Sequence, residues 1–594
     1  MKTPTLSWPT LLVLLMFRVP VVSATSDSAP VSLETIAERS QFIRTGRYAE
    51  TQRLCAAYAK AWPDRVRCIE FGRTPEDRPM LVLIASRSGA LSPEIARKRG
   101  LPVMLVQGGI HAGEIDGKDA GFIALRQVLS DPNSLKNFVL VFVPVFNVDG
   151  HERFGRWNRP NQVGPEEMGW RGTAQNLNLN RDYTKADAPE MHAMLRLLNE
   201  WDPVLYADLH VTDGSNFQHD VSNTVDPLYS GDPLLHPVAK ALVTELNARI
   251  AAMGSHPLDF YPELVDENDP ASGFALNVYS PRFSTAYWAL HNRLGLLVET
   301  HSWKDYATRV RVTRNIIVTL VDMMARKGAE WRAQALAADA RATRLGGQTI
   351  ALDFDTGPHV AMLDFLGYAY TREHSEVSGE MATRYDPTKP QVWHVPLRDT
   401  IVVKTSTQVP RGGYIVTAAN AEWMATKLRL HGIRFSRLGS ESNSPPQMET
   451  FRATHITYSK EPFEGHTMLT IEGAWNPERR MVPGGSLFVP ISQPNSRLVV
   501  ALLDPRGVDS FAAWGFFDTV FEAKEYMEPY VAEQVGAEML ARDPAVAADF
   551  KKRLAEDPQF AASPSARLEY FYRRSPSWDE RLGLYPVYRV DAAP

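Results

Sequence analysis

Residues 103–117 join an apolar run to a glycine pair and then to a histidine and a glutamate. The run Val103 to Val106 is typical of a buried strand, and the glycine pair lets the backbone turn tightly after it. His111 and Glu114 follow, with two small residues between them that leave both side chains free to turn toward one point. A neutral imidazole and a carboxylate together suit zinc. A His-x-x-Glu pair also occurs often by chance, so a metal site here requires further ligands elsewhere in the chain.

Length and composition set the class of protein. At 594 residues the chain is too long for one ordinary hydrophobic core, so we expect two or more domains. An apolar content of 44% with 22% charged residues is that of a soluble globular protein. The net charge of -5 offers no basic field for nucleic acid, so nucleic acid is excluded as a partner.

Residues 1–24 have the pattern of a cleaved export signal. Lys2 supplies positive charge, Leu11 to Phe17 an apolar segment, and Val22-Ser-Ala24 small residues for cleavage. A short membrane anchor is the alternative, but the apolar segment is too short to span a bilayer, and no later stretch is long and apolar enough. We therefore expect a secreted or periplasmic protein with no membrane span in the mature chain.

Cys55 and Cys68 are the only cysteines. In an oxidising compartment they could form a disulfide. Two buried free thiols are an equally good interpretation, and the sequence leaves both open.

Buried strands alternate with helices through the first half of the chain. We expect strands at 66–71, 80–85, 103–106, 138–146, 203–210 and 294–298, and helices at 51–61, 117–128, 189–200 and 305–344. Near-continuous apolar strands interleaved with helices predict an α/β fold with a mixed, mostly parallel sheet flanked by helices.

After Gly346-Gly347 the pattern changes to short β-rich runs punctuated by proline and glycine. We therefore place a domain boundary near residue 346, between a first domain at 30–345 and a β-rich and helical accessory region at 346–594. In the accessory region we expect strands at 350–354, 392–395, 400–404, 468–472, 487–489 and 498–503, and helices at 421–431, 511–542 and 544–554. Pro529 is expected to break the helix at 511–542.

Two further strands of the first domain end in residues that suit a metal site. His210 ends one strand, and Glu299 directly follows another. Open α/β sheets place their sites at the C-terminal ends of strands. His111, Glu114 and His210 could hold a metal with one position open for water, while Glu299 could take a proton from that water as general base. The nearby Asp213 and His219 are weaker candidates for the same metal.

Five short motifs, in this order, resemble the M14 family of zinc carboxypeptidases over roughly residues 45 to 320. They are His111-Ala-Gly-Glu114, Asn147-Val-Asp-Gly150, Asn178-Leu-Asn-Arg181, Asp208-Leu-His210 and Leu297-Val-Glu-Thr-His301. The resemblance implies a zinc-dependent metallocarboxypeptidase, with a peptide substrate cleaved at its C-terminal bond.

The resemblance also implies a role for each matching residue. His111, Glu114 and His210 are the expected Zn²⁺ ligands, and Glu299 is the expected general base. Asn180 and Arg181 match the pair that grips the substrate's terminal carboxylate, which suits a bidentate arginine. Arg156 stands where the family's oxyanion-stabilising arginine is expected, with Arg153, Arg159 and Arg171 as alternatives. Tyr279 and Tyr287 both lie in range for the tyrosine that covers bound substrate.

The sequence departs from the family at two positions. Asn178 stands where an aspartate often supports a zinc-bound histidine, and Val211 stands where a small polar residue is common. Two other functions stay open: a zinc amidase or peptidase that acts on cell-wall stem peptides, and a non-catalytic binding protein that keeps the fold. The sequence indicates neither the preferred terminal residue nor the oligomeric state.

Overall fold

The computed structural model describes residues 32–439 and 445–594. The predicted export signal at 1–24 lies outside the described residues. Across the described ranges, no helix has both the length and the apolar character needed to cross a membrane.

Helices and strands alternate in the first part of the chain, and strands dominate the next. The helices are α1 (Ile36–Arg39), α2 (Tyr48–Ala61), α3 (Pro93–Lys98), α4 (Asp116–Ser130), α5 (Val148–Glu152), α6 (Pro189–Trp201), α7 (His236–Ala252), α8 (Ser284–Ala289), α9 (Tyr306–Ala342), α10 (Ala421–Leu430), α11 (Ser496–Leu503), α12 (Pro529–Arg542), α13 (Pro544–Glu556), α14 (Pro558–Ala562) and α15 (Pro564–Tyr572). The strands are β1 (Val66–Arg73), β2 (Pro79–Ala85), β3 (Val103–Gly108), β4 (Val139–Val143), β5 (Leu205–Val211), β6 (Val221–Asp226), β7 (Pro257–Leu258), β8 (Phe274–Ala275), β9 (Leu294–Thr300), β10 (Thr349–Thr356), β11 (Val360–His374), β12 (Met381–Arg398), β13 (Ile401–Gln408), β14 (Gly413–Val416), β15 (Ser436–Arg437), β16 (Gln447–Tyr458), β17 (Leu469–Arg479), β18 (Leu487–Pro490) and β19 (Val587–Val590).

A mixed sheet of eight strands, in the order β1-β2-β4-β3-β5-β9-β6-β7, organises the first part of the chain. Its middle strands, β4, β3, β5 and β9, run parallel. Every residue of these four strands is buried, as expected for parallel strands that helices cover on both faces. The predicted α/β fold with a mixed sheet flanked by helices is thus confirmed. The register of β5 and β9 sets His210 beside Glu299 at their C-terminal ends.

The chain after residue 346 is rich in strands, as predicted. Strands β11 and β12 form a long hairpin that also pairs with β8, and β10 pairs with β13. A six-stranded sheet follows, in the order β15-β18-β14-β19-β16-β17. Tyr414, Leu428 and Leu498 from this region share one hydrophobic core with Val106 and Leu209 of the first sheet.

Two predictions for this region were wrong. Residues 498–503, expected as a strand, lie in helix α11, because a short apolar run fits a buried helix as well as a buried strand. Residues 511–542 do not form one helix broken at Pro529. Pro529 instead begins α12, where its missing N–H costs no helical hydrogen bond.

Cys55 of α2 and Cys68 of β1 form a disulfide. The bridge ties the first long helix to the edge strand of the sheet. Of the two alternatives that the sequence left open, the structure therefore has the bonded pair.

Candidate active site

Three buried side chains converge at the C-terminal edge of the sheet. His111 and Glu114 come from the turn after β3, and His210 comes from β5. One ligand atom from each residue lies within 4.8 Å of the others. His111 Nδ1 is 2.9 Å from Glu114 Oε1, and His210 Nδ1 is 3.0 Å from Glu114 Oε2. The structure thus brings together all three residues predicted as metal ligands.

The local sequence explains the tight turn that carries the first two candidate ligands. A side chain at Gly113 would place its Cβ 2.6 Å from Arg159 Cγ and 2.8 Å from the Gly169 carbonyl oxygen. A side chain at Gly108 would meet the Pro144 carbonyl oxygen at 2.9 Å. Glycine is therefore required where the loop passes close to other backbone.

The donor set fits a divalent metal ion. His111 Nδ1 makes no hydrogen bond to any described residue, although it lies in contact with Glu114. Burial lowers the pKa of His111 to about 4, so the imidazole is neutral, the form that binds metal. Two imidazole nitrogens and one carboxylate, with room for a fourth ligand, form the arrangement that zinc uses in catalytic sites.

Outer partners orient both imidazoles. His111 Nε2 lies 3.1 Å from Asn178 Oδ1, and His210 Nε2 lies 2.9 Å from Asp208 Oδ2. Asn178 Oδ1 also accepts a hydrogen bond of 3.0 Å from the Asn180 backbone N–H. An amide oxygen only accepts, so His111 donates from Nε2 and keeps the lone pair on Nδ1. A neutral asparagine can therefore fix this tautomer without a negative charge.

Two arginines reach the Glu114 carboxylate. Arg159 Nη1 lies 3.0 Å and Arg171 Nη1 3.2 Å from Glu114 Oε1. Arg156, the first choice from the sequence, is exposed and lies against the Trp157 ring instead. Arg153 lies over the Trp170 ring. The geometry therefore brings Arg159 and Arg171 to the centre and leaves Arg156 outside it.

Glu299 is the next-to-last residue of β9 and lies close to the three candidate ligands. Its side chain is buried, and Oε2 has no hydrogen-bond partner among the residues that the structure describes. Burial raises the pKa of Glu299 to about 8, while the nearby His210 opposes that shift. A basic carboxylate with a free oxygen in such a cleft is suited to accept a proton.

A cleft of about 710 Å³ opens over this centre, and Asn180 and Arg181 line one part of it. Asn180 Oδ1 is buried and has no hydrogen-bond partner within residues 32–439 and 445–594. The Arg181 guanidinium lies 4.3 Å from the centre of the Phe283 ring and donates to the Asn180 carbonyl oxygen at 2.9 Å. Among described residues, the ion pairs formed within the chain include none to Arg181, so its charge is available to an anionic ligand.

The two candidate tyrosines lie in different places. Tyr279 lines the cleft. Tyr287 is buried in the core, where its hydroxyl is 2.9 Å from His431 Nδ1. Of the weaker metal candidates, Asp213 lines the cleft near Tyr261, whereas His219 contacts the His256 carbonyl oxygen instead.

Sequence reasoning missed several residues that line the cleft. Tyr261 and Trp303 belong to the first part of the chain, and Thr383 and Tyr385 come from the β11–β12 hairpin. Trp303 follows the Glu299 motif closely and could have been considered from its position. Nothing in the local sequence marks Tyr385, because only the tertiary fold brings that hairpin to the cleft.

Comparisons with known proteins point to one family. A sequence profile described as zinc carboxypeptidase (Peptidase_M14) matches residues 51–256. Carboxypeptidase 2 of Trichophyton tonsurans is 30% identical over 89 residues, which make up 15% of this chain and 16% of that protein. Carboxypeptidase D of Drosophila melanogaster is 30% identical over 164 residues, which cover 25% of this chain and 11% of that protein. The chain thus spans only a small part of the length of these curated relatives.

A solved structure is similar over a longer stretch. Carboxypeptidase A from Helicoverpa armigera aligns with 50% of this chain and 75% of its own, at 16% identity and a TM-score of 0.35. The similarity to this family rests on the profile, whose range includes the loops and strands that carry His111, Glu114 and His210. Residues 51–256 of this chain are therefore similar to the M14 family of zinc carboxypeptidases.

Proposed function

We propose that this protein is a zinc-dependent metallocarboxypeptidase that removes the C-terminal residue of a peptide. One observation carries the proposal: a metal-binding triad, a buried carboxylate with a free oxygen, and an Asn-Arg pair all face the same cleft. Each of these groups alone is also found in proteins that hydrolyse nothing. Together they match the needs of peptide hydrolysis next to a terminal carboxylate.

His111, Glu114 and His210 would hold the metal. A zinc ion in this position supplies Lewis acidity and lowers the pKa of water toward about 7. Glu299 takes the proton of the attacking water and passes it to the leaving amine, because its free oxygen and raised pKa suit both transfers.

The remaining groups bind and orient the substrate. Arg181 pairs with the terminal carboxylate, and Asn180 offers an amide beside it. Arg159 donates to the oxygen that gains negative charge at the scissile carbonyl, in the role first assigned to Arg156. Tyr279, which lines the cleft, covers the bound residue. We also propose a secreted or periplasmic location, which the disulfide supports.

The test is release of a C-terminal amino acid from blocked dipeptides that differ only in the last residue. We expect hydrolysis, its loss on treatment with a chelator, and its return when Zn²⁺ is added. Glu299→Gln should lower kcat by at least about 100-fold, since general-base catalysis contributes about that much. The exposed Glu461→Gln serves as a matched control and should keep wild-type activity.

Two outcomes would refute the proposal. One is undiminished hydrolysis by Glu299→Gln. The other is a zinc-loaded wild-type protein that cleaves none of the blocked peptides, which would favour a binding protein that keeps the fold.

A further inference from the structure

A glutamate from the region after residue 346 reaches the candidate active site. Glu464 lies in the turn between strands β16 and β17. Its Oε2 accepts a hydrogen bond of 2.8 Å from the backbone N–H of Asn178, which lies 286 positions earlier in the chain. A carboxylate that accepts from a backbone N–H forms a charge-assisted bond, stronger than a neutral one.

Asn178 connects this contact to the metal centre. Its Oδ1 accepts from the Asn180 N–H at 3.0 Å and lies 3.1 Å from His111 Nε2. Glu464 therefore fixes the backbone of Asn178. The Asn178 side chain in turn sets the tautomer of His111 and contacts the start of the Asn180-Arg181 segment. A shift of this peptide would change the orientation of a proposed ligand and of the substrate-binding pair together.

The turn that carries Glu464 is fixed on the first part of the chain. Phe463 stacks on Trp514, with ring centres 6.0 Å apart and an interplanar angle of 12°. Trp514 in turn donates to Thr184 Oγ1 at 3.1 Å. On the other side of the turn, His466 Nε2 lies 2.7 Å from Asp187 Oδ2. These contacts leave the carboxylate little freedom to move away from Asn178.

The backbone conformation at Glu464 also supports a functional role for this turn. Glu464 has a φ of 51°, in the left-handed region that glycine, asparagine and aspartate prefer in tight hairpin turns. A glutamate there carries a conformational cost. Surrounding structure must offset such a cost, and residues of this kind cluster at functional sites.

We propose that Glu464 is a positioning residue for the metal centre. It acts through Asn178, whose peptide it holds so that the amide oxygen faces His111. The region after residue 346 thereby completes the active site of the first region. This inference rests on the proposed function only in taking His111 as a metal ligand.

Zinc affinity tests the proposal without using catalysis. The affinity of the full-length protein is measured by competition with a chromophoric chelator. Removing an outer partner of a metal ligand typically weakens binding by about 10 to 100-fold, so Asn178→Ala should fall in this range and Glu464→Ala near its lower end. Glu464→Gln, which keeps an acceptor but no charge, should lose less. The double variant should bind no more weakly than Asn178→Ala alone, because both changes remove one pathway.

The control is Glu461→Ala, an exposed glutamate of the same connection between β16 and β17. It should bind zinc as wild type does, and its metal-free Tm should match that of Glu464→Gln, which separates positioning from folding. The proposal is overturned if Glu464→Ala and Glu464→Gln both bind zinc within twofold of wild type, or if the losses in the double variant add. Wild-type protein that binds zinc but cleaves no peptide would refute the proposed function. The zinc affinities of the variants would still test the role of Glu464.

Discussion

Glu299 is buried, and among the described residues nothing forms a hydrogen bond with its Oε2. This makes the stability of the folded protein depend on pH. In the metal-free protein, burial raises the pKa of Glu299 to about 8 from an ordinary 4.5. The folded protein then keeps a proton that the unfolded chain releases, so the stabilising contribution is complete below pH 4.5 and is lost as the pH rises through about 8. Glu299→Gln, which cannot ionise, should escape this loss.

The measurement is the Tm of metal-free protein across this range. Glu299→Gln should be more stable than wild type near about pH 9 and close to it near about pH 5. A gap that is constant with pH, or that widens toward acid, would contradict the burial of an ionisable carboxyl here. Glu461→Gln, an exposed change of the same type, should show no such gap.

Arg159, and not Arg156, contacts the carboxylate of Glu114, the proposed metal ligand. Arg159→Ala should lower kcat by about 100 to 1000-fold, the cost of removing one donor to a developing oxyanion. Arg156 is exposed and lies against the Trp157 ring, so Arg156→Ala should leave kcat and KM unchanged. Steady-state kinetics on zinc-loaded protein decides between them, and the reverse ranking would restore the assignment made from the sequence.

Only some residues of the site can be predicted from the sequence. His111, Glu114, His210 and Glu299 could be named because strand ends in an open α/β sheet meet at one edge. The choices among arginines and tyrosines could not be made, because they depend on which way a loop side chain turns. Glu464 gave no signal at all, since its contact with Asn178 joins positions 286 apart.

At the scale of helices and strands, the long periodic elements were predictable and the short ones less so. Helix α9, Tyr306–Ala342, was expected at 305–344, because its apolar stripe repeats over many turns. Helix α11 was expected as a strand, since eight residues are too few for periodicity to separate the two. Pro529 was expected to break a helix, but it is the first residue of α12. Proline is common at the first position of a helix.

The disulfide between α2 and β1 belongs to this scale. It closes a loop with a sequence separation of 13. A disulfide across a loop of that size reduces the conformational entropy of the unfolded chain and thereby stabilises the fold by about 3 kcal/mol. Replacing both cysteines with alanine should lower the free energy of unfolding by about this amount while zinc affinity stays unchanged. Denaturant unfolding checks the first claim and chelator competition the second. Two thiols that titrate freely in unfolded, unreduced wild-type protein would show that the bond does not form.

The whole molecule is held together by contacts between its two parts. The Tyr287 hydroxyl meets His431 at 2.9 Å, and the Arg282 guanidinium meets Asp509 at 2.6 Å. Trp514 is fully buried, bonds to Thr184, and lies 4.9 Å from the Arg282 guanidinium. The boundary predicted near residue 346 therefore separates two sequence patterns that share one hydrophobic core. We therefore expect the two parts to unfold together in one transition.

Trp514 offers the sharpest test of that cooperativity. Trp514→Ala should cost about 3 to 5 kcal/mol, as expected for truncating a buried aromatic side chain, and should shift the entire unfolding transition. Trp157, which is 78% exposed, provides the matched control, and Trp157→Ala should change stability little. Calorimetry of the metal-free proteins measures both. If the two parts fold independently, Trp514→Ala will instead split the transition or lower only one of two peaks. Phe463 stacks on Trp514 and so helps to hold the turn that carries Glu464. If the two parts fold independently, the contact between Glu464 and Asn178 would have to form between parts that can separate.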